Sequence, residues 1–162
     1  MKIFAKCLVL MCGAILGFVS FSFSQTTKNV DYPVGYRLWA HVKSVAVAPP
    51  APNLRSHGIH HIYANQLAMQ GYKTGHFPDG SIIVFDLRKT QTNNGVTKEV
   101  SRSFIDVMQK DSKHFEKTGG WGFEEFLGDN TDRTLSIEQK TTCFNCHASQ
   151  KEKGFVFSIF QE

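Results

Sequence analysis

Two cysteines and a histidine near the carboxyl terminus have the residue types and the spacing for covalent cofactor chemistry. Cys143, Cys146 and His147 form the pattern Cys-x-x-Cys-His. In this pattern the two thiols can add across the vinyl groups of a haem, and the next histidine is then held against one axial face of the iron. The pattern predicts one haem c per chain, with Cys143 and Cys146 as thioether anchors and His147 as the proximal ligand of the iron.

Two other kinds of site also use a Cys-x-x-Cys pair. A redox disulfide of the thioredoxin type requires a strand–helix–strand context, which the surrounding sequence does not predict. A structural zinc site requires a second pair of ligands nearby. The sequence indicates neither the strand–helix–strand context nor a second pair of zinc ligands, so covalent haem attachment is the favoured interpretation.

The amino-terminal residues 1–24 are typical of a cleaved export signal. Lys2 and Lys6 give a basic start, residues 7–23 form an almost uncharged apolar run, and Ser24 is a small residue of the kind that signal peptidase requires. We expect cleavage after Ser24 and a periplasmic location. An uncleaved membrane anchor is the alternative, because the apolar run is close to the length of a spanning helix.

The composition predicts one globular domain over residues 25–162. The whole chain has 162 residues, of which 41% are hydrophobic and 12% aromatic. Its formal charge of +4 falls to +2 when the two lysines of the signal are removed. So small a bias does not predict a nucleic-acid partner. Cys7 and Cys12 leave with the signal, so the mature chain would keep only the two cysteines of the motif.

Turn residues and alternating hydrophobicity predict an α+β domain that is mainly β, with four or five antiparallel strands and two or three short helices. A helical turn is expected at 36–39 and a proline-rich loop at 48–53. Asn65 is expected to cap a helix over about 66–72, and the Asn94-Gly95 pair is expected to close a hairpin. Extended segments are predicted at 42–47, 59–64, 81–88, 96–108, 121–127 and 155–160.

The function of a haem depends on the second axial face of its iron. An electron-transfer cytochrome fills that face with methionine or histidine, whereas a gas-binding or catalytic haem leaves it open. Spacing does not select one residue from the candidates for a sixth ligand, which are Met69, Met108, His41, His57, His60, His61, His76 and His114.

The chain resembles the cytochrome P460 family, which includes the cytochromes c′ of β-sheet type. The resemblance is carried by the Cys-x-x-Cys-His motif together with blocks in a fixed order, namely Tyr36–Trp39, His61–Asn65, Phe77–Val84, Lys110–Phe115, Gly120–Phe123 and Phe155–Ser158. The resemblance implies a homodimeric antiparallel-sheet fold with one c-type haem per chain. It also implies a five-coordinate iron bound by His147 and an open distal pocket.

One position divides that family. Members of the cytochrome P460 type carry a lysine on the strand after the Phe-x-Asp-Gly turn, link it covalently to the haem, and oxidise hydroxylamine. The β-sheet cytochromes c′ have an apolar residue there and bind nitric oxide or carbon monoxide. In this chain the position is Phe85, whose ring cannot form the nitrogen link. Lys89 is on the same face of the predicted strand but about 13 Å further along it, so it is a poor substitute.

The predicted distal-pocket residues are Phe85, His60 and Asp106. Phe85 shares a strand face with Ile83 and Leu87, so it is either a ring over the iron or an ordinary core aromatic. His60, on the preceding strand, is expected to supply a hydrogen-bond donor. Asp106 corresponds, by its offset from the Lys110 block, to an acidic residue that relatives use for proton relay; the alternative is a solvated carboxylate.

Three functions remain open at this point. The favoured one is an exported cytochrome that binds small gases, nitric oxide above all, for scavenging or sensing. The alternatives are an oxidoreductase that oxidises hydroxylamine and a plain electron-transfer cytochrome. The expected partners are a small gaseous or nitrogen-oxide ligand, an unidentified redox partner and a second copy of the chain.

Overall fold

The architecture is a single antiparallel sheet with helices packed on it. A computed structural model describes residues 28–48 and 57–161. Five strands lie in the sheet in their order along the chain, and they are β1 (Ala40–Val47), β2 (Gly58–Ala64), β3 (Ile82–Asn93), β4 (Val96–Lys110) and β5 (Trp121–Leu127). This confirms the predicted mainly β, α+β class. The predicted signal segment and most of the proline-rich loop lie outside the described residues.

The described residues form two α-helices, α1 (Gln66–Thr74) and α2 (Ile137–His147). Short 3-10 turns lie at Tyr36–Leu38, Glu116–Thr118 and Ala148–Lys153. No helix among the described residues is long and apolar enough to cross a membrane.

Asn65 caps α1, as predicted. Its side-chain oxygen accepts hydrogen bonds from the backbone N–H of Ala68 at 2.8 Å and of Ile82 at 3.1 Å. Its side-chain amide donates to the carbonyl of Gly80 at 2.8 Å. One side chain therefore satisfies an unpaired donor of the helix and also fixes the start of β3.

The Asn94-Gly95 turn joins β3 to β4, also as predicted. Both residues have positive φ angles, 50° and 76°, which a two-residue hairpin turn of type I′ requires. The hairpin extends beyond the rest of the sheet, because β2 pairs with β3 only as far as Arg88 and β5 pairs with β4 only from Phe104 onward.

The two faces of the sheet are covered by different parts of the chain. We call the face on which α2 packs the front face; Cys143 and Phe144 of α2 pack there against a buried cluster that includes Ala64, Ile83, Met108, Trp121 and Phe123. On the opposite back face, Val30 and Tyr36 of the amino-terminal segment pack against a second cluster that includes Tyr63, Val84, Ile105, Val107 and Phe126. In the part of the chain that the structure describes, two hydrophobic clusters thus lie on opposite faces of one sheet.

The prediction of a last strand at 155–160 is wrong. Residues 154–161 form no strand, since Gly154 and Phe155 turn the chain with φ angles of 66° and 67°. The Phe155 N–H donates to the carbonyl of Gln150 at 2.8 Å, so local hydrogen bonds replace strand pairing. The alternating apolar residues still have a role, because Val156 is buried in the front-face cluster and Phe160 packs against it.

Candidate functional site

The Cys-x-x-Cys-His residues lie in the last turns of α2. Their spacing of three and then one residue puts Cys143, Cys146 and His147 on one side of the helix. Cys143 is half-buried, Cys146 is exposed, and both are free thiols. Burial raises the pKa of the Cys143 thiol, and the nearby carboxylates of Asp106 and Glu125 raise it further. Two unpaired thiols are therefore held close together at the front face.

His147 is fixed by a backbone acceptor and two aromatic rings. Its Nδ1 lies 2.7 Å from the carbonyl oxygen of Phe155, and because a carbonyl can only accept, Nδ1 carries the proton. The imidazole packs against the rings of Phe123 and Phe157, with centroid distances of 5.2 and 5.0 Å. Burial lowers the pKa of His147. The result is a neutral imidazole whose Nε2 lone pair is available to a metal.

Phe85 and His60 lie side by side on the front face. Phe85 on β3 is half-buried, and its ring meets the imidazole of His60 edge to face, with centroids 4.4 Å apart and an interplanar angle of 90°. His60, on β2, is 7% exposed. On its other side Phe85 stacks on Phe104 at 6.5 Å. The structure thus brings together two of the three predicted distal residues.

Asp106 lies in the same cross-strand row as Phe85. The sheet register pairs Phe85 with Asp106 and Asp106 with Glu125, so all three side chains point to one face. Asp106 is partly buried and Glu125 is 8% exposed, and both lie near enough to the Cys143 thiol to raise its pKa. Asp106 is therefore part of the site region rather than a fully solvated carboxylate.

A comparison with protein-family models gives a match to Cytochrome P460 over residues 33–158. The match covers most of the chain. The protein belongs to the cytochrome P460 family. Membership of this family implies a haem c protein, as the resemblance of the sequence blocks had indicated. No individual curated protein matches the chain.

The residues of this cytochrome P460 family member fit a covalently attached haem. Cys143 and Cys146 are free thiols on one side of a helix, which is the arrangement that thioether formation requires. His147 is in the neutral tautomer that leaves Nε2 for the iron. Phe123 and Phe144 supply apolar surface beside them. These residues could anchor the haem and bind its iron on one axial side.

The candidates for a sixth ligand lie in different parts of the protein. Met69 and Met108 belong to the front-face cluster, which also contains Cys143. His41 and His61 belong to a separate polar chain, in which both rings bond the hydroxyl of Ser44 and His61 also bonds Glu99. His76 is exposed at the end of α1, His114 is exposed and bonded to Asp111, and His57 is partly exposed before β2.

The sequence predicts that Lys89 is a poor substitute for the family's crosslinking lysine. It is exposed and lies just beyond the last pairing of β3 with β2, which is at Arg88. Lys89 lies four residues after Phe85, the position that the sequence resemblance aligns with the family's lysine.

Glu124 was not predicted as a positioning residue for α2. It is 1% exposed, and its carboxylate accepts from the backbone N–H of Leu135 at 2.9 Å and lies 2.8 Å from Nζ of Lys140 on α2. These contacts hold the start of the helix on β5. Two consecutive glutamates in an otherwise apolar strand were the available sequence signal, because charged side chains are rarely buried without partners.

Proposed function

We propose that the protein is an exported mono-haem cytochrome of the c type whose five-coordinate iron binds small gases, nitric oxide foremost. In this proposal Cys143 and Cys146 carry the thioether links, and His147 binds the iron through Nε2. Phe85 lies on the distal side, with His60 beside it. The biological role would be scavenging or sensing of nitric oxide in the periplasm.

The observation that carries the proposal is the phenylalanine at position 85. A lysine there would provide the nitrogen for a haem crosslink, whereas a benzyl ring has no nucleophilic atom. The Phe85 ring is held between His60 and Phe104 and has no hydrogen-bond donor, so it disfavours water and bulky anions beside it. A diatomic gas needs little space and no donor, so it is the class of ligand that such a pocket admits most readily.

His147 supports the same proposal from the proximal side. When bound, the haem would supply an iron with one open axial position. The Nδ1 hydrogen bond to the Phe155 carbonyl fixes the orientation of the imidazole and increases the basicity of Nε2. Packing between Phe123 and Phe157 limits rotation of the ring, so the histidine would hold the iron in one geometry.

Oxidation of hydroxylamine is the second candidate, and a specific observation favours it. Asp106 and Glu125 are cross-strand neighbours beside Cys143, and that reaction releases protons that nearby carboxylates can accept. In the enzyme alternative this pair would move protons at the site. An electron carrier, the third possibility, would instead require one of the candidate methionines or histidines, for example Met69, Met108 or His60, to reach the iron.

Peptide mass spectrometry of the holoprotein, combined with an assay for hydroxylamine oxidation, distinguishes the first two candidates. We expect haem bound only through the peptide that contains Cys143 and Cys146, and no turnover of hydroxylamine. Phe85→Lys tests whether the position alone is sufficient for the link, and Phe85→Leu is the matched apolar control. A wild-type haem peptide linked through any lysine, together with turnover, would replace the gas-binding proposal by the enzyme.

We also propose export and self-association. Amino-terminal sequencing of the periplasmic fraction should give Gln25 as the first residue, and an uncleaved membrane-bound chain would contradict this. Sedimentation of the holoprotein should give the mass of two chains; a monomer at all concentrations tested would contradict the proposed homodimer. The redox partner would be a separate electron donor whose identity co-purification can establish.

A further inference from the structure

A cavity lies next to the residue that orients His147. Its volume is about 360 Å³, and it is lined by His76, Phe77, Lys110, Lys151, Glu152 and Phe155. The carbonyl of Phe155 is the acceptor for Nδ1 of His147, whereas an iron would bind at Nε2, on the opposite side of the ring. The cavity is therefore separate from the proposed gas-binding pocket. It is nevertheless connected to the proximal histidine, because Phe155 both lines the cavity and bonds His147.

The charged groups of the cavity favour an anion. Lys110 is partly buried, its Nζ donates to the carbonyl of Gly119 at 2.7 Å, and it lies 5.4 Å from the centroid of the Trp121 ring. Burial lowers the pKa of Lys110, although the charge of Asp79 raises it. A lysine has three N–H donors, and the bond to Gly119 uses one. Of the charged residues that line the cavity, Lys110 and Lys151 are positive and Glu152 is negative, while Asp79 acts on Lys110 from outside the lining.

The wall of the cavity formed by Phe77 and Gly154 is held in place by packing and a hydrogen bond. The ring of Phe77 fills the space left by two glycines, since a Cβ added to Gly71 would lie 2.1 Å from it and a Cβ added to Gly154 would lie 2.8 Å from it. Trp121 donates from Nε1 to the carbonyl of Gly154 at 3.0 Å. A site whose walls are already in place loses less entropy when a ligand binds.

We propose that this cavity binds a small oxyanion, of the phosphate or nitrate kind, between Lys110 and Lys151, and that the bound anion lowers the reduction potential of the iron. A negative charge beside the Phe155 peptide stabilises the oxidised iron more than the reduced iron, because the oxidised iron carries one more positive charge. The binding part stands on the cavity alone, whereas the effect on the potential also rests on His147 as the iron ligand.

Titration calorimetry of the purified holoprotein tests the binding part. Phosphate and nitrate are titrated separately, with chloride at equal ionic strength as the reference. We expect saturable binding of an oxyanion that Lys151→Gln weakens about threefold or more and that Glu152→Gln strengthens. Lys153→Gln is the matched control, because Lys153 is an exposed lysine two residues away that does not line the cavity.

Lys110→Met should weaken binding about tenfold or more, because it removes a partly buried charged donor. If that variant fails to fold, Lys151→Gln and Glu152→Gln, which change exposed residues, still test whether the cavity binds an anion. The proposal is overturned if the wild-type holoprotein shows no saturable binding, or if Lys153→Gln weakens binding as much as Lys151→Gln.

Potentiometry of the same holoprotein tests the coupling. The bound oxyanion should shift the potential to more negative values, and the shift should be reduced in Lys151→Gln and retained in Lys153→Gln. Saturable binding with an unchanged potential would overturn the coupling to the iron.

Discussion

The two faces of the sheet bury polar groups in different ways. On the back face, the carboxylate of Asp86 is 0% exposed and accepts a hydrogen bond from the hydroxyl of Tyr36 at 2.7 Å. The guanidinium groups of Arg102 and Arg37 lie 3.5 and 3.7 Å from it. Burial raises the pKa of Tyr36, and the hydrogen bond to Asp86 raises it further. Asp86 and the two arginines therefore lie close to groups of opposite charge.

The front face instead combines aromatic rings with groups that can react or bind a ligand. His147 and Cys143 of α2 pack there, Phe85 and His60 lie on the sheet, and the carboxylate of Asp106 is near the Cys143 thiol. We therefore expect one sheet to separate the polar contacts that stabilise the fold from the residues that would hold the haem. Substitutions on the back face should change the free energy of unfolding, whereas substitutions on the front face should change the haem and its ligands.

The largest effect is expected from the two thiols. The double variant Cys143→Ala with Cys146→Ala should lose covalent haem entirely, because no other cysteine lies among the described residues. Extraction with acid acetone measures this directly. His147→Ala is the control: the haem should stay attached while the spectrum of the iron changes. Full covalent retention by the double variant would contradict c-type attachment.

Asp86→Ala should produce the largest loss of stability on the back face. It leaves Arg102, whose side chain is 10% exposed, with only the exposed carboxylate of Asp129 as an acidic partner, and it removes the acceptor of the Tyr36 hydroxyl. The combined cost should be about 3–5 kcal/mol in the free energy of unfolding. Denaturant titration measures the loss. Asp129→Ala removes a carboxylate that bonds the same arginine but is 87% exposed, and should cost at most about 1 kcal/mol. A change in ligand binding by Asp86→Ala at temperatures where the variant is folded would contradict the separation of the two faces.

Phe85→Ala should affect the front face more than the fold. Because the ring is only partly buried, its loss should cost about 1–3 kcal/mol, less than the 3–5 kcal/mol typical of a fully buried phenylalanine. Flash photolysis of the carbon monoxide complex should show faster association. If the association rate is unchanged, Phe85 is only a packing residue and the distal pocket lies elsewhere.

The smallest effect concerns Tyr72, at the edge of the front-face cluster. Burial raises the pKa of Tyr72 to about 12, although a hydrogen bond with Ser158 at 2.6 Å lowers it. Since the unfolded chain loses this proton near pH 10, the stability contributed by the neutral phenol is present below about pH 10 and is lost as the pH rises toward 12. Ser158→Ala should raise the pKa of Tyr72 further, which ultraviolet titration of the tyrosines measures. A lower pKa in the variant would contradict this.

Much of the sheet could be predicted from local signals. Asn65, the Asn94-Gly95 turn and the alternation in β3 each act within a few residues, so sequence patterns report them directly. The sequence predicts that His60 and Phe85 lie on neighbouring strands. It does not predict that their rings touch, because the register of the two strands decides which side chains meet.

The elements that were missed depend on tertiary contacts. The helix α2 begins with a capping box at Ser136 and Gln139, a local signal of a helix start that the prediction did not use. It buries no residue completely, so its apolar face is a weak signal in the sequence. The segment 155–160 alternates like a strand, but the turn at Gly154 and Phe155 leads it onto the core instead of the sheet. Glu125 shares a site with Asp106 only through the pairing of β4 with β5.

The absorption spectrum of the reduced holoprotein, recorded before and after addition of carbon monoxide, tests the proposed gas-binding haem most directly. We expect a high-spin, five-coordinate spectrum that shifts when carbon monoxide binds, with no absorption far to the red of ordinary c-type haem. A low-spin spectrum that carbon monoxide does not change would show a sixth protein ligand and an electron carrier. A strongly red-shifted band would show a crosslinked haem and contradict the role assigned to Phe85.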